Sequence, residues 1–95
     1  MKDKIRIKLR EKYWTVHFKG LRKKDGECTT PHLPQKTIYI SNRIKSPIRL
    51  LETCIHEIMH ACIWDLSEEA VDEIARDMAR AISAILTVRK DIFEK

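Results

Sequence analysis

The chain has 95 residues, of which 43% are hydrophobic and 35% charged, with 2 Gly and 3 Pro. This length excludes a multidomain protein, and the composition excludes extended disorder. We therefore expect residues 1–95 to form a single domain. The formal net charge of +5 divides unevenly, because residues 1–50 carry +10 and residues 51–95 carry −5. A basic half can attract nucleic acid, although charged runs are more often solvated faces.

Two segments near the N-terminus have the alternating pattern of half-buried strands. Residues 4–10 alternate apolar side chains with cations, and residues 13–18 alternate in the same way. We expect these two strands to form a hairpin that turns around residues 10–12. The side chains predicted to share the apolar faces are Ile5, Ile7, Leu9, Trp14, Val16 and Phe18.

Residues 20–35 are predicted to form a long loop, because Asp25-Gly26 and the Pro31–Pro34 segment punctuate them. Residues 36–41 follow as a third strand, with Ile38 and Ile40 on one face. The basic region 4–41 is therefore predicted to be a small antiparallel three-stranded sheet.

The second half of the chain changes to a helical period. Ser46-Pro47 predicts a helix start, and the helix runs to about Trp64. Ser67 is predicted to cap a second helix, from Glu68 to about Arg89. The fold class is thus α+β, a sheet followed by two packed antiparallel helices over residues 47–89. The apolar stripe predicted for the second helix is Val71, Ile74, Met78, Ala81, Ile82 and Ile85.

The first helix contains the sequence His-Glu-Ile-Met-His, an HExxH motif at residues 56–60. Histidines four residues apart lie on one helix face, so His56 and His60 can bind one Zn²⁺, with Glu57 beside a metal-bound water. The flanking residues are apolar, and unpaired polar groups in such surroundings are costly. A bound metal removes that cost, which favours a metal site over polar positions on an ordinary helix.

A catalytic zinc site needs a third protein ligand. Among the acids of the second helix, Glu69 and Glu73 fall on the outward stripe, whereas Glu68 lies near the buried one. Glu68 is therefore the predicted third ligand, although acids at a helix N-terminus also complement the helix dipole. If Glu68 cannot reach the metal, Asp65 or His32 is the next candidate.

Residues 51–61 and 66–75, with weaker likeness over 26–86, resemble the minimal gluzincin metallopeptidases, which include the ImmA/IrrE-like group and small bacteriophage HExxH proteins. The resemblance implies a minimal zincin-like fold with one Zn²⁺ per chain. It also implies an E-x-x-x-D segment in which Glu68 binds zinc and Asp72 orients a zinc-bound histidine. Seven residues separate His60 from Glu68, fewer than in larger gluzincins. Ile63 and Leu66 occupy the positions of the metzincin glycine and third histidine, which excludes that class.

These features predict a zinc-dependent peptidase in which His56, His60 and Glu68 hold zinc and Glu57 is the general base. A peptide or protein substrate is expected to add to residues 38–41 as an extra strand. Cys28 and His32 are a weaker candidate for a second metal site. The candidates for stabilising the oxyanion are Tyr13, His17, His32, Tyr39 and Arg43.

Two other functions compete with the peptidase. One is a zinc-stabilised regulatory or nucleic-acid-associated protein without peptidase activity, which would use the cations interleaved with Tyr13, Trp14 and Phe18. The other is an interaction protein that binds no metal. The first alternative predicts bound zinc without hydrolysis, and the second predicts no bound zinc.

The cysteine pattern and the N-terminus bear on localisation. The three cysteines are an odd number, and Cys54 and Cys62 would lie about 12 Å apart on one helix, beyond disulfide reach. No signal-like or membrane-spanning apolar segment is present. We therefore predict a cytoplasmic protein with no membrane partner, in the host cytoplasm if a phage encodes it.

Overall fold

The computed structural model of the chain describes residues 3–93. Four strands precede three helices in the sequence. Their bounds are β1 Lys4–Leu9, β2 Lys12–Lys19, β3 Gly26–Cys28, β4 Thr37–Ser41, α1 Pro47–Cys62, α2 Glu68–Val88 and α3 Lys90–Phe93. The α+β class predicted from the sequence is confirmed.

Strands β1 and β2 form the predicted antiparallel hairpin, with Ile7 opposite Trp14. The two turn residues, Arg10 and Glu11, both have positive φ, 49° and 66°. Positive φ at both central positions is the conformation of the two-residue turns that suit the right-handed twist of a hairpin. The sequence therefore located this turn correctly without a glycine to mark it.

The sheet differs from the prediction in two respects. It has four strands in the order β1-β2-β4-β3, and β4 runs parallel to β2. The fourth strand, β3, lies within residues 20–35, which were predicted to be a loop, and pairs antiparallel with β4. A three-residue strand containing Gly is too short to show an alternating pattern. The segment between β2 and β4 returns the chain to the end of the sheet where β2 begins, so β4 runs in the same direction as β2.

The core has two layers of contact. Trp14, Val16, Ile38 and Ile40 are buried on one face of the sheet and form a cluster with Ala61 of α1. Trp14 and Phe18 therefore pack inward, so the prediction that they form part of a nucleic-acid surface is wrong. A second cluster joins α1 to α2. Among residues 3–93, no helix combines the length and apolar character needed to cross a bilayer.

The buried face of α2 is rotated relative to the predicted stripe. Val71, Ala75 and Ala79 are fully buried, whereas Met78 is 42% and Ile85 is 61% exposed. The predicted stripe is therefore wrong at Ile74, Met78, Ala81 and Ile85, and holds at Val71 and, with partial burial, at Ile82. Small alanines allow two helices to approach closely, and a pattern based on hydrophobicity favours the larger residues instead.

Serine side chains cap both long helices as predicted. The Ser46 hydroxyl accepts a hydrogen bond from the Arg49 amide at 3.3 Å, and Ser67 accepts one from Ala70 at 3.2 Å. The first helix ends at Cys62 rather than Trp64, and the second at Val88 rather than Arg89. The caps determine where the short connection between the helices ends, and so where Glu68 begins α2.

Two alanine substitutions in α2 test which face is buried. Ala79→Leu adds volume at a site with no exposed surface, so we expect a loss of about 1–3 kcal/mol in the free energy of unfolding. Ala81→Leu makes the same change at an exposed site and should change stability by less than about 0.5 kcal/mol. Urea unfolding measures both, and a larger loss for Ala81→Leu would contradict the observed packing.

Candidate metal centre

Helix α1 places the two histidines of the HExxH motif side by side. The Nε2 atoms of His56 and His60 lie 3.1 Å apart, and the two ring centroids are 4.8 Å apart. Both side chains are largely buried, at 21% and 13% exposed. Their separation of four residues along one helix face is what allows both Nε2 atoms to point to one location.

The connection between α1 and α2 brings Glu68 to the histidines. Its carboxylate lies 2.6 Å from His60 Nε2 and 3.6 Å from His56 Nε2. The turn is tight, since the Ile63 amide donates to Met59 O at 2.7 Å and the Leu66 amide donates to Ile63 O at 3.2 Å. The connection of seven residues between His60 and Glu68 is therefore long enough.

His56, His60 and Glu68 could hold a metal ion, because one ligand atom from each lies within 4.8 Å of the others. Ligands at about 2.0–2.1 Å from a tetrahedral zinc are separated from one another by about 3.3 Å. The two Nε2 atoms are 3.1 Å apart, close to that value. Glu68 approaches them through different oxygens, with Oε1 2.6 Å from His60 Nε2 and Oε2 3.6 Å from His56 Nε2. The donor set, two imidazoles and one carboxylate, is also one that zinc binds.

Asp72 lies one turn after Glu68 and contacts the other nitrogen of His56. Its Oδ1 is 3.1 Å from His56 Nδ1. A carboxylate in this position favours the tautomer with a proton on Nδ1, which leaves Nε2 free to bind a metal. The family resemblance predicts that Asp72 orients a zinc-bound histidine, and the structure shows its contact with His56.

Glu57 points to the opposite side of α1 from solvent, toward strand β3, and is only 6% exposed. Burial is the main reason that its pKa rises from 4.5 to about 7, with further contributions from Glu68 and Glu27, partly offset by Lys24. A Cβ atom at Gly26 would lie 2.9 Å from Glu57 Cγ and Oε2. Gly26 therefore leaves the space that the Glu57 side chain occupies.

An ion pair anchors the start of β3 to α1. Arg49 Nε and Nη2 donate to the two carboxylate oxygens of Asp25 at 2.6 and 2.7 Å. This bidentate geometry orients both groups, and the Asp25 carboxylate raises the pKa of Arg49. The Asp25 carbonyl also accepts a hydrogen bond from the Ser41 amide at 2.7 Å. Asp25 thus connects β3, β4 and α1 next to the metal-binding group.

An open groove of about 390 Å³ runs between β3 and the metal-binding group. It is bordered by Gly26, Glu27, Cys28, His56, Glu57, His60, Trp64, Leu66 and Glu68. The strand beside the groove is β3, at the edge of the sheet, whereas β4 lies between β2 and β3. The prediction that residues 38–41 form the edge for a substrate strand is therefore wrong, because β3 covers that side of β4.

Several predicted residues lie away from the groove. Asp65 and His32, the alternative third ligands, both border a different cavity near Trp14. Cys28 borders the groove and His32 the other cavity, and among the described residues neither belongs to a group of three or more ligands that could hold a metal ion. Burial, with smaller contributions from Glu57 and Cys62, raises the pKa of the Cys28 thiol to about 12. That shift disfavours the thiolate that metals bind.

The residues suggested for oxyanion stabilisation also lie elsewhere. Arg43 borders a basic cleft beside Arg49, and His32 borders the cavity near Trp14. Tyr13, His17 and Tyr39 alternate with the buried residues of β2 and β4, so they lie on the sheet face that points away from α1. None of these five residues is among those that border the groove.

Four groove residues were not identified as site residues from the sequence: Gly26, Glu27, Trp64 and Leu66. Gly26 lies in a segment predicted to be a loop, and the Asp-Gly pair was its only signal. Trp64 lies beyond the end of α1 and its ring centroid is 5.8 Å from that of His60. Its indole N–H is a donor that no motif marked.

Comparisons of the chain with protein families, with curated proteins and with solved structures return no match.

Glu57 makes the stability of the metal-free protein depend on pH. Its pKa is about 7 when folded and about 4.5 when exposed, so the folded chain holds a proton that the unfolded chain releases between these values. Stability is therefore lost as the pH rises from about 4.5 to about 7. Glu57→Gln removes this loss, and at pH 8 we expect it to be more stable than the wild type by up to about 3 kcal/mol.

Urea unfolding of the metal-free chains at pH 5 and pH 8 measures this difference. Glu69→Gln, at an exposed position of α2, should reproduce the wild-type change with pH. The three proteins share every other ionisable group apart from Glu69, so the difference between the variants reports on Glu57. The same pH dependence in Glu57→Gln and the wild type would contradict a buried, protonated Glu57.

Proposed function

We propose that the chain is a zinc-dependent peptidase that hydrolyses peptide bonds in the groove beside β3. The observation that carries this proposal is the position of Glu68, whose carboxylate lies 2.6 and 3.6 Å from the Nε2 atoms of His60 and His56. Three ligands from two helices leave a coordination position for water, as in catalytic zinc sites. The similarity to minimal gluzincins supports the same proposal, including the zincin-like character of the fold.

A bound Zn²⁺ supplies Lewis acidity, polarising a carbonyl and lowering the pKa of a coordinated water toward about 7. His56, His60 and Glu68 would hold the ion. Asp72 keeps the His56 ring in the orientation that presents Nε2. Glu57, which is held between α1 and Gly26, would accept a proton from the attacking water and return it to the leaving amine.

The free edge of β3 supports a peptide as the substrate. Hydrogen bonds from Ser41 to Asp25 and from Thr29 to Thr37 show that Asp25 and Thr29 face β4. Along an antiparallel strand, the backbone N–H and C=O groups of successive residues point to opposite sides. The backbone groups of Glu27 therefore also face β4, while those of Gly26 and Cys28 point away from the sheet. An extended peptide can pair with these outward groups and so lie across the groove.

Zinc binding tests the ligand assignment. The wild-type chain should bind about one zinc ion per molecule, and His56→Ala and His60→Ala should lose it. Glu68→Gln should weaken zinc affinity at least tenfold, whereas Glu69→Gln, the adjacent acid on the same helix, should not change it. Competition with a chromogenic chelator measures the affinities. Equal effects of Glu68→Gln and Glu69→Gln would remove Glu68 from the ligand set.

Hydrolysis tests the role of Glu57. In Glu57→Gln we expect zinc content to be unchanged and kcat/KM on an unfolded, fluorescently labelled protein to fall at least 100-fold. Glu73→Gln, an exposed acid of α2, is the matched control and should keep full activity. Wild-type turnover in Glu57→Gln would remove Glu57 from the mechanism. Zinc-loaded wild type without activity on a panel of unfolded proteins would favour the zinc-stabilised binding protein instead.

A further inference from the structure

The sheet face that points away from α1 carries an unusual set of side chains. Because residues alternate along a strand, this face holds the neighbours of the buried Trp14, Val16, Ile38 and Ile40. Its cations are Lys4, Arg6, Lys8 and Lys19, and its rings are Tyr13, His17 and Tyr39. The face lies on the other side of the sheet from α1, so its function is separate from that proposed for the groove.

The cations of this face are not matched by acids across the strands. In the β1–β2 register, Lys4 lies opposite His17, Arg6 opposite Thr15 and Lys8 opposite Tyr13. Opposite charges at such positions stabilise a sheet, and cations spaced about 7 Å apart along one strand repel one another. A surface adapted only to water usually mixes both signs of charge. The arrangement is suited to a ligand with regularly spaced negative charges.

The acids near this face are already paired. Glu27 forms an ion pair with Lys24, and Glu11 lies 3.4 Å from Lys8. Among residues 3–93, Arg6 and Lys19 lie over tyrosine rings rather than beside carboxylates, at 4.4 Å from the Tyr13 centroid and 4.5 Å from the Tyr39 centroid. Each of these two cations therefore lies over one face of a tyrosine ring and remains available to an anion.

The rings form two positions on which flat groups can stack. His17 and Tyr39 lie side by side on neighbouring strands, with centroids 5.6 Å apart. Tyr13 is 58% exposed and lies four residues before His17 on β2, about 13 Å away along the strand. Cations border both positions. A flexible polyanion with planar groups can therefore contact rings and cations together.

The geometry points to a binding site for single-stranded nucleic acid on this sheet face. Its phosphates would contact Lys4, Arg6 and Lys19, and its bases would stack at Tyr13 and at the His17–Tyr39 pair. A duplex is a poor fit, because its bases are already stacked on one another and cannot stack on the rings. A broad sheet face is also too wide to enter a groove of the duplex, which admits a single helix or a two-stranded ribbon. This activity does not depend on the proposed peptidase.

Fluorescence anisotropy of the zinc-loaded full chain tests the site, with a labelled twelve-nucleotide oligo-dT as probe. An abasic oligomer of equal length carries the same phosphates without bases. We expect oligo-dT to bind about tenfold more tightly than the abasic oligomer, and affinity to fall as salt rises. Oligo-rU of the same length, measured in parallel, shows whether DNA or RNA is the preferred strand, and preferential binding of either over the abasic oligomer supports the site.

Variants locate the binding surface. Arg6→Glu should weaken oligo-dT binding about tenfold, whereas Arg76→Glu, the same charge change on an exposed position of α2, should not. Tyr13→Ala should reduce the preference for oligo-dT over the abasic oligomer without changing the melting temperature, since the Tyr13 ring is exposed. Tyr39→Phe retains an aromatic ring and should keep that preference. Three outcomes would overturn the site: no binding at low salt, equal affinity for oligo-dT and the abasic oligomer, or equal losses in Arg6→Glu and Arg76→Glu.

Discussion

The close packing of α2 against α1 is the contact on which the candidate metal centre depends. Ala75 and Ala79 of α2 have no exposed surface and pack with Ile55, one residue before the first histidine of the motif. Small side chains at this contact let the two helix axes approach. Together with the five-residue turn over residues 63–67, this approach places the first turn of α2 beside His56 and His60.

The second constraint is the burial of Glu57 beneath β3. A carboxylate with 6% exposure is costly in its charged form, and the rise of its pKa to about 7 expresses that cost. The glycine at position 26 leaves room for the side chain, and the Asp25–Arg49 ion pair holds the strand that covers it, so both maintain this burial. A cation bound by His56, His60 and Glu68 would lower the cost, so metal binding and folding stability would be coupled.

The uneven charge of the chain corresponds to two sides of the molecule. The acidic half supplies Glu57, Glu68 and Asp72 around the histidines, where carboxylates favour a cation. Four of the 14 cations in residues 1–50 lie on the sheet face away from α1, where Arg6 and Lys19 lie over tyrosine rings. One sheet thus separates a site suited to cations from a surface suited to anions.

The sequence by itself determined the parts of this protein that depend on local spacing. Alternation located β1 and β2, serine caps located both helix starts, and the i, i+4 pair located His56 and His60 on one helix face. The helical period also singled out Glu68 as the third ligand of the metal-binding group, because the period alone shows which acids lie at the edge of a helix face. The tertiary structure decided what depends on contacts between distant segments: the pairing of β3 outside β4, the position of Gly26 against Glu57 and the buried alanine face of α2. Strand order and close backbone approach arise from which surfaces meet, and no periodicity within one segment encodes them.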